Sequence, residues 1–219
     1  MLMIPEKRLA VQAYEQVLDM IMGGQLKPGT LIQERRLAEH LNMSRTPLRD
    51  ALLMLEGEGL LDRQGAKGLQ VRYLNLEDFI ENLNIRRLLE PDAARTAAGH
   101  VPQDVLDNLE ARLEDLLADA RLDARQPDRS LVRSIDEDLH TAISTAAQNR
   151  KMATIILVLR RQTQMFDLRS VPERLESTCV EHLAIVRALS AGDGERAAEA
   201  MRVHLDGVRQ SIIARLSGT

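Results

Sequence analysis

Residues 42–61 read NMSRTPLRDALLMLEGEGLL. The stretch opens polar, turns apolar at Leu48, and reaches Gly57 and Gly59, which close it as a helix. Thr46 reads as the N-cap, with Pro47 in the first helical position, where its missing N–H costs nothing. Leu48, Leu52, Met54 and Leu55 give the helix a buried side. Arg45 and Arg49 then lie one turn apart on one face, at the N-terminal end. That end carries the positive pole of the helix dipole and free N–H groups, which favour phosphate. An arginine can grip guanine O6 and N7 with two bonds, and the hydroxyls of Ser44 and Thr46 can donate to phosphate oxygens. The bland alternative is a pair of solvated surface arginines, and the surroundings decide between them.

Before this stretch, Leu9, Tyr14, Val17, Leu18 and Ile21 recur at helical spacing until Gly23-Gly24 stops the run. LKPGTLI (26–32) reads as a turn and a short extended piece, ERRLAEH (34–40) as a short helix, and LNM (41–43) as the turn into the quoted helix. After it, LLDRQGAKGLQVRYL (60–74) alternates in two short runs around Gly65 and Gly68, a two-stranded hairpin. Helix, short helix, turn, helix and hairpin make a winged helix-turn-helix over 1–74, a fold that presents the start of its third helix, the one quoted, to the major groove. Lys67 and Gly68 at the hairpin tip can approach a DNA backbone closely. Lys7 and Arg8 read as tail charges ahead of the first helix, and Arg36 as a surface charge.

The composition agrees. Aromatic residues are 2% of the 219 and Trp is absent, so the core is built from aliphatic residues, which suits packed helices. Residues 1–73 hold ten Lys/Arg against nine Asp/Glu, while the remainder holds nineteen against twenty-four. A near-neutral first domain beside an acidic second is compatible with DNA binding by the first. The lone cysteine, Cys179, fits a reducing cytoplasm. No apolar run approaches the ~20 residues of a membrane span; TIILVL (154–159) meets Arg160 and Arg161, for which an exposed place is expected ahead of the alternative, further charge in a cavity. The expected location is cytoplasmic, with no membrane partner.

From 75 to 219 the pattern is helical: 76–99 with an expected kink at Pro91, 102–120, 131–147, 151–168, 172–191 and 195–216, separated by the polar loop RLDARQPDRS and the turn AGDG among others. Six helices with short links imply an all-α antiparallel bundle. Asp136 and His140 are four apart on one helix, so they share a face. His182 and His204 lie beside apolar stripes on the last two helices. Three histidines and a carboxylate from three helices can converge on a divalent ion. Singly, each histidine is more often a packing residue with a satisfied partner.

Two resemblances sharpen this. GQLKPGTLIQERRLAEHLNMSRTPLRDALLMLEGEGLL (24–61), with its wing, resembles the DNA-binding domain of GntR-family transcription regulators. The resemblance implies that Arg35, Arg45 and Arg49 touch DNA, with Thr46 and Gly68 nearby. IRRLLEPDAARTAA (85–98), DEDLHTAISTAAQN (136–149) and EHLAIVRALSAGDGERAAEAMRVHL (181–205) resemble the FCD domain attached to many of these regulators, and six helices resemble its VanR-type branch. This implies that Asp136, His140, His182 and His204 are the metal ligands, zinc first, with nickel or manganese as alternatives. Arg86 and Glu90 match an R-x3-E motif whose arginine faces an effector cavity, unless the two simply pair with each other. Asn149 matches a family asparagine that is a helix cap or a cavity donor.

The expected protein is a ligand-responsive repressor and not an enzyme. It binds a near-palindromic operator as a homodimer and answers to a small organic acid held beside the ion. Two alternatives stand: a sensor for which the ion is itself the signal, and a metal-dependent hydrolase or isomerase using Glu137 or Glu181.

Overall fold

A computed structural model of the chain describes residues 6–122, 129–167 and 174–217. Contacts divide the chain into two compact units, Met1–Leu76 with Gln164–Leu168, and Glu77–Thr163 with Arg169–Thr219. The first holds α1 (Glu6–Met22), α2 (Glu34–His40), α3 (Arg45–Gly57), β1 (Leu61–Arg63) and β2 (Leu69–Val71), with a 3-10 turn at Gly65–Lys67. Lys7 and Arg8 therefore belong to α1 and not to a tail. The buried face of α1 is Ala13, Tyr14, Val17 and Ile21; Leu9 faces solvent despite its spacing. These residues meet Leu48, Ala51, Leu52 and Leu55 of α3, the hairpin residues Leu61, Leu69 and Val71, and Met165. Met54, expected inside, is exposed, as is Leu53, because α3 turns only one stripe toward the core.

The quoted helix begins two residues earlier than its sequence implies. Ser44 is the N-cap, in extended conformation and with no side-chain capping bond, so Pro47 falls at the third helical position. Its missing N–H still belongs to the first turn, where such groups have no partner within the helix. Both helix ends that frame the turn into α3 and its exit are closed by paired backbone bonds around a left-handed residue. At Asn42 (φ 50°) these are Met43 N to Ala38 O (3.0 Å) and Asn42 N to Glu39 O (3.2 Å). At Gly59 (φ 68°) they are Leu60 N to Leu55 O and Gly59 N to Glu56 O, both 2.9 Å. β1 pairs antiparallel with β2, Leu61 opposite Val71 and Arg63 opposite Leu69. The extended piece at 29–32 adds to this hairpin: Ile32 N donates to Leu69 O and Val71 N to Thr30 O.

The second unit is helical among its described residues: α4 (Leu76–Ala97), α5 (Gln103–Leu122), α6 (Arg129–Ala146), α7 (Arg150–Asp167), α8 (Leu175–Ser190) and α9 (Gly194–Ser217). The middle of the expected polar loop, 123–128, and the expected start of the fifth bundle helix at Pro172 lie outside the described residues. Pro91 is buried inside α4, which continues past it to Ala97. α8 packs against both α5 and α9. Its apolar face, Leu183, Val186 and Leu189, is buried together with Cys179, whose thiol burial pushes up to about 11. Leu52→Ala should cost about 2–5 kcal/mol in urea unfolding of the winged-helix unit, because a buried aliphatic side chain leaves a cavity. Leu53→Ala, on the exposed face, should stay within about 0.5 kcal/mol of the parent.

Candidate nucleic-acid interface and metal centre

Three of the expected DNA contacts share one surface. A shallow groove of about 630 Å³ over the turn between α2 and α3 is lined by Arg35, Ser44 and Arg45, among others. Arg49 follows one turn along α3, with Thr46 exposed between the two arginines. A single oxygen holds both guanidiniums: Glu34 Oε2 accepts from Arg49 Nε at 2.7 Å and lies 3.5 Å from Arg45 Nη2. The bond from Arg49 is the chief reason the Glu34 carboxyl falls below its ordinary value. Arg35 bonds Glu39 one turn away, at 3.0 Å. Exposed pairs of this kind are worth only ~0–1 kcal/mol, so they order the arginines and yield readily to a stronger anion. Lys67 is exposed at the end of the wing's 3-10 turn. Gly68 has φ 93° and ψ −150°, a conformation costly for any residue with a Cβ.

Inside the second unit, α6, α8 and α9 bring the other four expected residues together. One ligand atom from each of Asp136, His140, His182 and His204 lies within 4.8 Å of every other. Two donors on one ion with ~2.1 Å bonds lie at most ~4.2 Å apart, so the set is one short side-chain adjustment from ligation. Asp136 Oδ1 is 3.7 Å from both His140 Nε2 and His182 Nε2. Those two nitrogens are buried and have no hydrogen-bond partner. Buried polar atoms are rarely left so, and a donor set of three imidazoles and a carboxylate suits a divalent ion. The residues therefore fit the metal that the resemblance implies.

Behind these four residues stand charged partners. Glu90, on α4, places Oε2 2.7 Å from His140 Nδ1, and its Oε1 accepts from Arg86 Nε at 2.5 Å. Glu181 Oε2 accepts from His204 Nδ1 at 3.0 Å and is itself held by Arg174. Arg160, on α7, donates to Asp136 Oδ2 at 2.6 Å. Three arginines thus face three carboxyl groups around three imidazoles. Burial would raise the Glu90 and Asp136 carboxyls; Arg86 foremost for Glu90, and Arg160 foremost for Asp136, instead hold both well below the usual range. Glu181 is raised, by burial, against the pull of Arg174. Desolvation lowers all three histidines, with further push from Arg160 on His140, from His204 on His182 and from His140 on His204.

Several expectations need correction. Arg86 and Glu90 do pair with each other, and both are buried, so Glu90 is engaged by Arg86 and His140. Asn149 is exposed and caps α7, its Oδ1 accepting from Met152 N at 3.1 Å, which is the first of the two roles its motif allows. Arg160 is buried and not on the surface, since Ile156, Arg160 and Thr163 share the inward stripe of α7. That spacing was available in the sequence; the apolar run just before it masked it. Glu137, weighed as a catalytic base, is exposed. An open groove of about 1100 Å³ along α5 and α6, lined by His100, Asn108, Arg112 and Thr141 among others, includes none of the four clustered residues.

Comparison with known proteins agrees with this architecture. The description "Bacterial regulatory proteins, gntR family" matches residues 9–71, and "FCD domain" matches 81–207. The HTH-type transcriptional regulator LutR of Bacillus subtilis is 27% identical over 86% of this chain and 94% of its own. The HTH-type transcriptional repressor RspR of Escherichia coli is 27% identical over 85% of this chain and 81% of its own. The solved structure of E. coli McbR/YncC superposes with a TM-score of 0.78, at 21% identity, over 95% of this chain and 98% of that one. Among the described residues, no helix is long and apolar enough to cross a membrane. The chain belongs to the GntR family of bacterial regulatory proteins, with an FCD domain following its winged helix: it is a DNA-binding transcription regulator and not an enzyme.

Proposed function

We propose that the protein is a repressor that binds a near-palindromic operator as a homodimer and is released or reset by a small organic acid held beside a divalent ion. The observation that carries this is the convergence of Asp136 with three buried histidines, two of which present unpartnered nitrogens to one point. A bound ion supplies there an uncompensated positive charge and open positions for an oxygen ligand. The surrounding arginines and carboxyl groups already match in number, so the added charge favours an anion. Arg86, one link behind His140, offers a charge-assisted contact to an acid once it exchanges its bond to Glu90. Repression follows the description of RspR. A dimer follows from DNA affinity, since one such reading head touches too few bases for ~10⁻⁸ M binding. Arg35, Arg45 and Arg49 read or position the duplex, Ser44 and Thr46 bind phosphate, and the wing at Lys67 and Gly68 touches the backbone.

A second reading, in which the ion itself is the signal, draws on the burial of the cluster: His140, His182 and His204 are each no more than 3% exposed. Thermal melts with sugar acids, hydroxyacids and dicarboxylates, run with and without added Zn²⁺, separate the two. Stabilisation by one acid only in the presence of metal supports the first; operator affinity that follows metal alone supports the second.

Arg45→Ala and Arg49→Ala should each lose about 1–3 kcal/mol of operator discrimination in binding titrations against specific and random duplexes. Parental discrimination by both variants would remove those contacts. Chelator-stripped protein should melt lower as pH falls from about 7 to 5: histidines held below their unfolded value of about 6.5 contribute stability that is present above that value and is lost as protons bind. His182→Asn should flatten that slope.

A further inference from the structure

Arg174, Glu181 and Gly207 form a unit with no place in the ligand set, yet every contact in it leads to His204. Arg174 stands at the N-cap of α8 and reaches two turns along it. Its Nη2 donates to both oxygens of Glu181, at 2.5 and 2.7 Å, and its Nη1 bonds Thr178 Oγ1 at 3.3 Å. Glu181 Oε2 accepts from His204 Nδ1. That bond assigns the proton to Nδ1 and leaves the Nε2 lone pair for the cluster. Gly207 is on α9, one turn beyond His204, in a helical conformation any residue adopts. A Cβ there would lie 1.9 Å from Arg174 Nη2 and 2.8 Å from Glu181 Oε1. A glycine inside a helix is about 1 kcal/mol less favourable than alanine, so what this one provides is room for the guanidinium.

We infer that Arg174 and Glu181 are positioning residues that fix the tautomer and direction of His204 for metal binding, and that Gly207 is the clearance that lets them do so. The inference rests on the metal reading of the cluster. A histidine ligand depends on the partner of its second nitrogen for orientation and basicity, and loss of such a partner weakens metal affinity by roughly 10–100-fold. Burial leaves the Glu181 carboxylate in need of a cation, which Arg174 supplies from the same helix.

The test uses the full chain, stripped of metal and titrated with Zn²⁺ against a chromophoric chelator and with Co²⁺ by its visible absorption. Glu181→Gln, which keeps size and an acceptor oxygen, should weaken Zn²⁺ binding by about tenfold or more and alter the Co²⁺ spectrum. Gly207→Ala should do the same by displacing Arg174, while Arg174→Lys, which keeps a cation near Glu181, recovers part of the loss. Glu110→Gln, an exposed partner of Arg187, is the control and should bind like the parent. Parental affinity and an unchanged spectrum in folded Glu181→Gln and Gly207→Ala overturn the inference while leaving the metal centre standing. A parent chain that takes up neither ion overturns the metal reading and this one with it.

Discussion

The second unit depends on the way it buries charge. Arg86, Glu90, Arg160 and three imidazoles are buried in the bundle, with Asp136, Arg174 and Glu181 half-buried beside them. Any one of them alone would be severely destabilising there. What makes the arrangement tolerable is pairing: Arg86 with Glu90, Arg160 with Asp136 and Arg174 with Glu181. Desolvation disfavours the protonated form of all three histidines. The same condition that lets the bundle fold therefore also prepares nitrogen lone pairs for a cation, and the two nitrogens without partners mark where the pairing stops.

A milder version of the same logic orders the first unit. Glu34 collects the guanidiniums of Arg45 and Arg49 on one oxygen, but near the surface, where the bonds are weak enough to be exchanged. The backbone beneath them is less yielding. Asn42 and Gly59 each close a helix with two backbone bonds, so the turn into α3 and the exit from it are set locally. The apolar stripe through Leu48, Leu52 and Leu55 then fixes which face the arginines leave outside. Side chains can rearrange on a nucleic acid while the helix that carries them keeps its shape.

Periodicity and turn chemistry made most of this readable in advance. The order of helices, the hairpin around Gly65 and Gly68, and the shared face of Asp136 and His140 follow from spacings of two, three and four residues. Harder to read was anything that depends on contacts distant in sequence. Arg160 meets Asp136 across 24 positions, and Glu181 meets His204 across 23. The spacing of Ile156, Arg160 and Thr163 turns Arg160 inward, but nothing local names the carboxylate it meets, and nothing local separates Glu181 from a solvated charge. Arg86 and Glu90 show the intermediate case: their mutual bond is an ordinary neighbour effect along one helix, whereas the reach of Glu90 to His140 is a product of packing. Leu9 and Met54 erred the other way, since apolar residues beyond the single inward stripe have no core to enter.

Cys179 has a practical consequence. Its sulfur is enclosed within α8's apolar face and its thiolate is disfavoured by burial, so it reacts slowly with alkylating agents and oxidants. It is also the chain's one cysteine. A second cysteine placed on the outer face of α3 or at the wing can thus carry a spin label or fluorophore selectively in the otherwise native sequence. The position of the winged helix relative to a labelled duplex then becomes a spectroscopic distance.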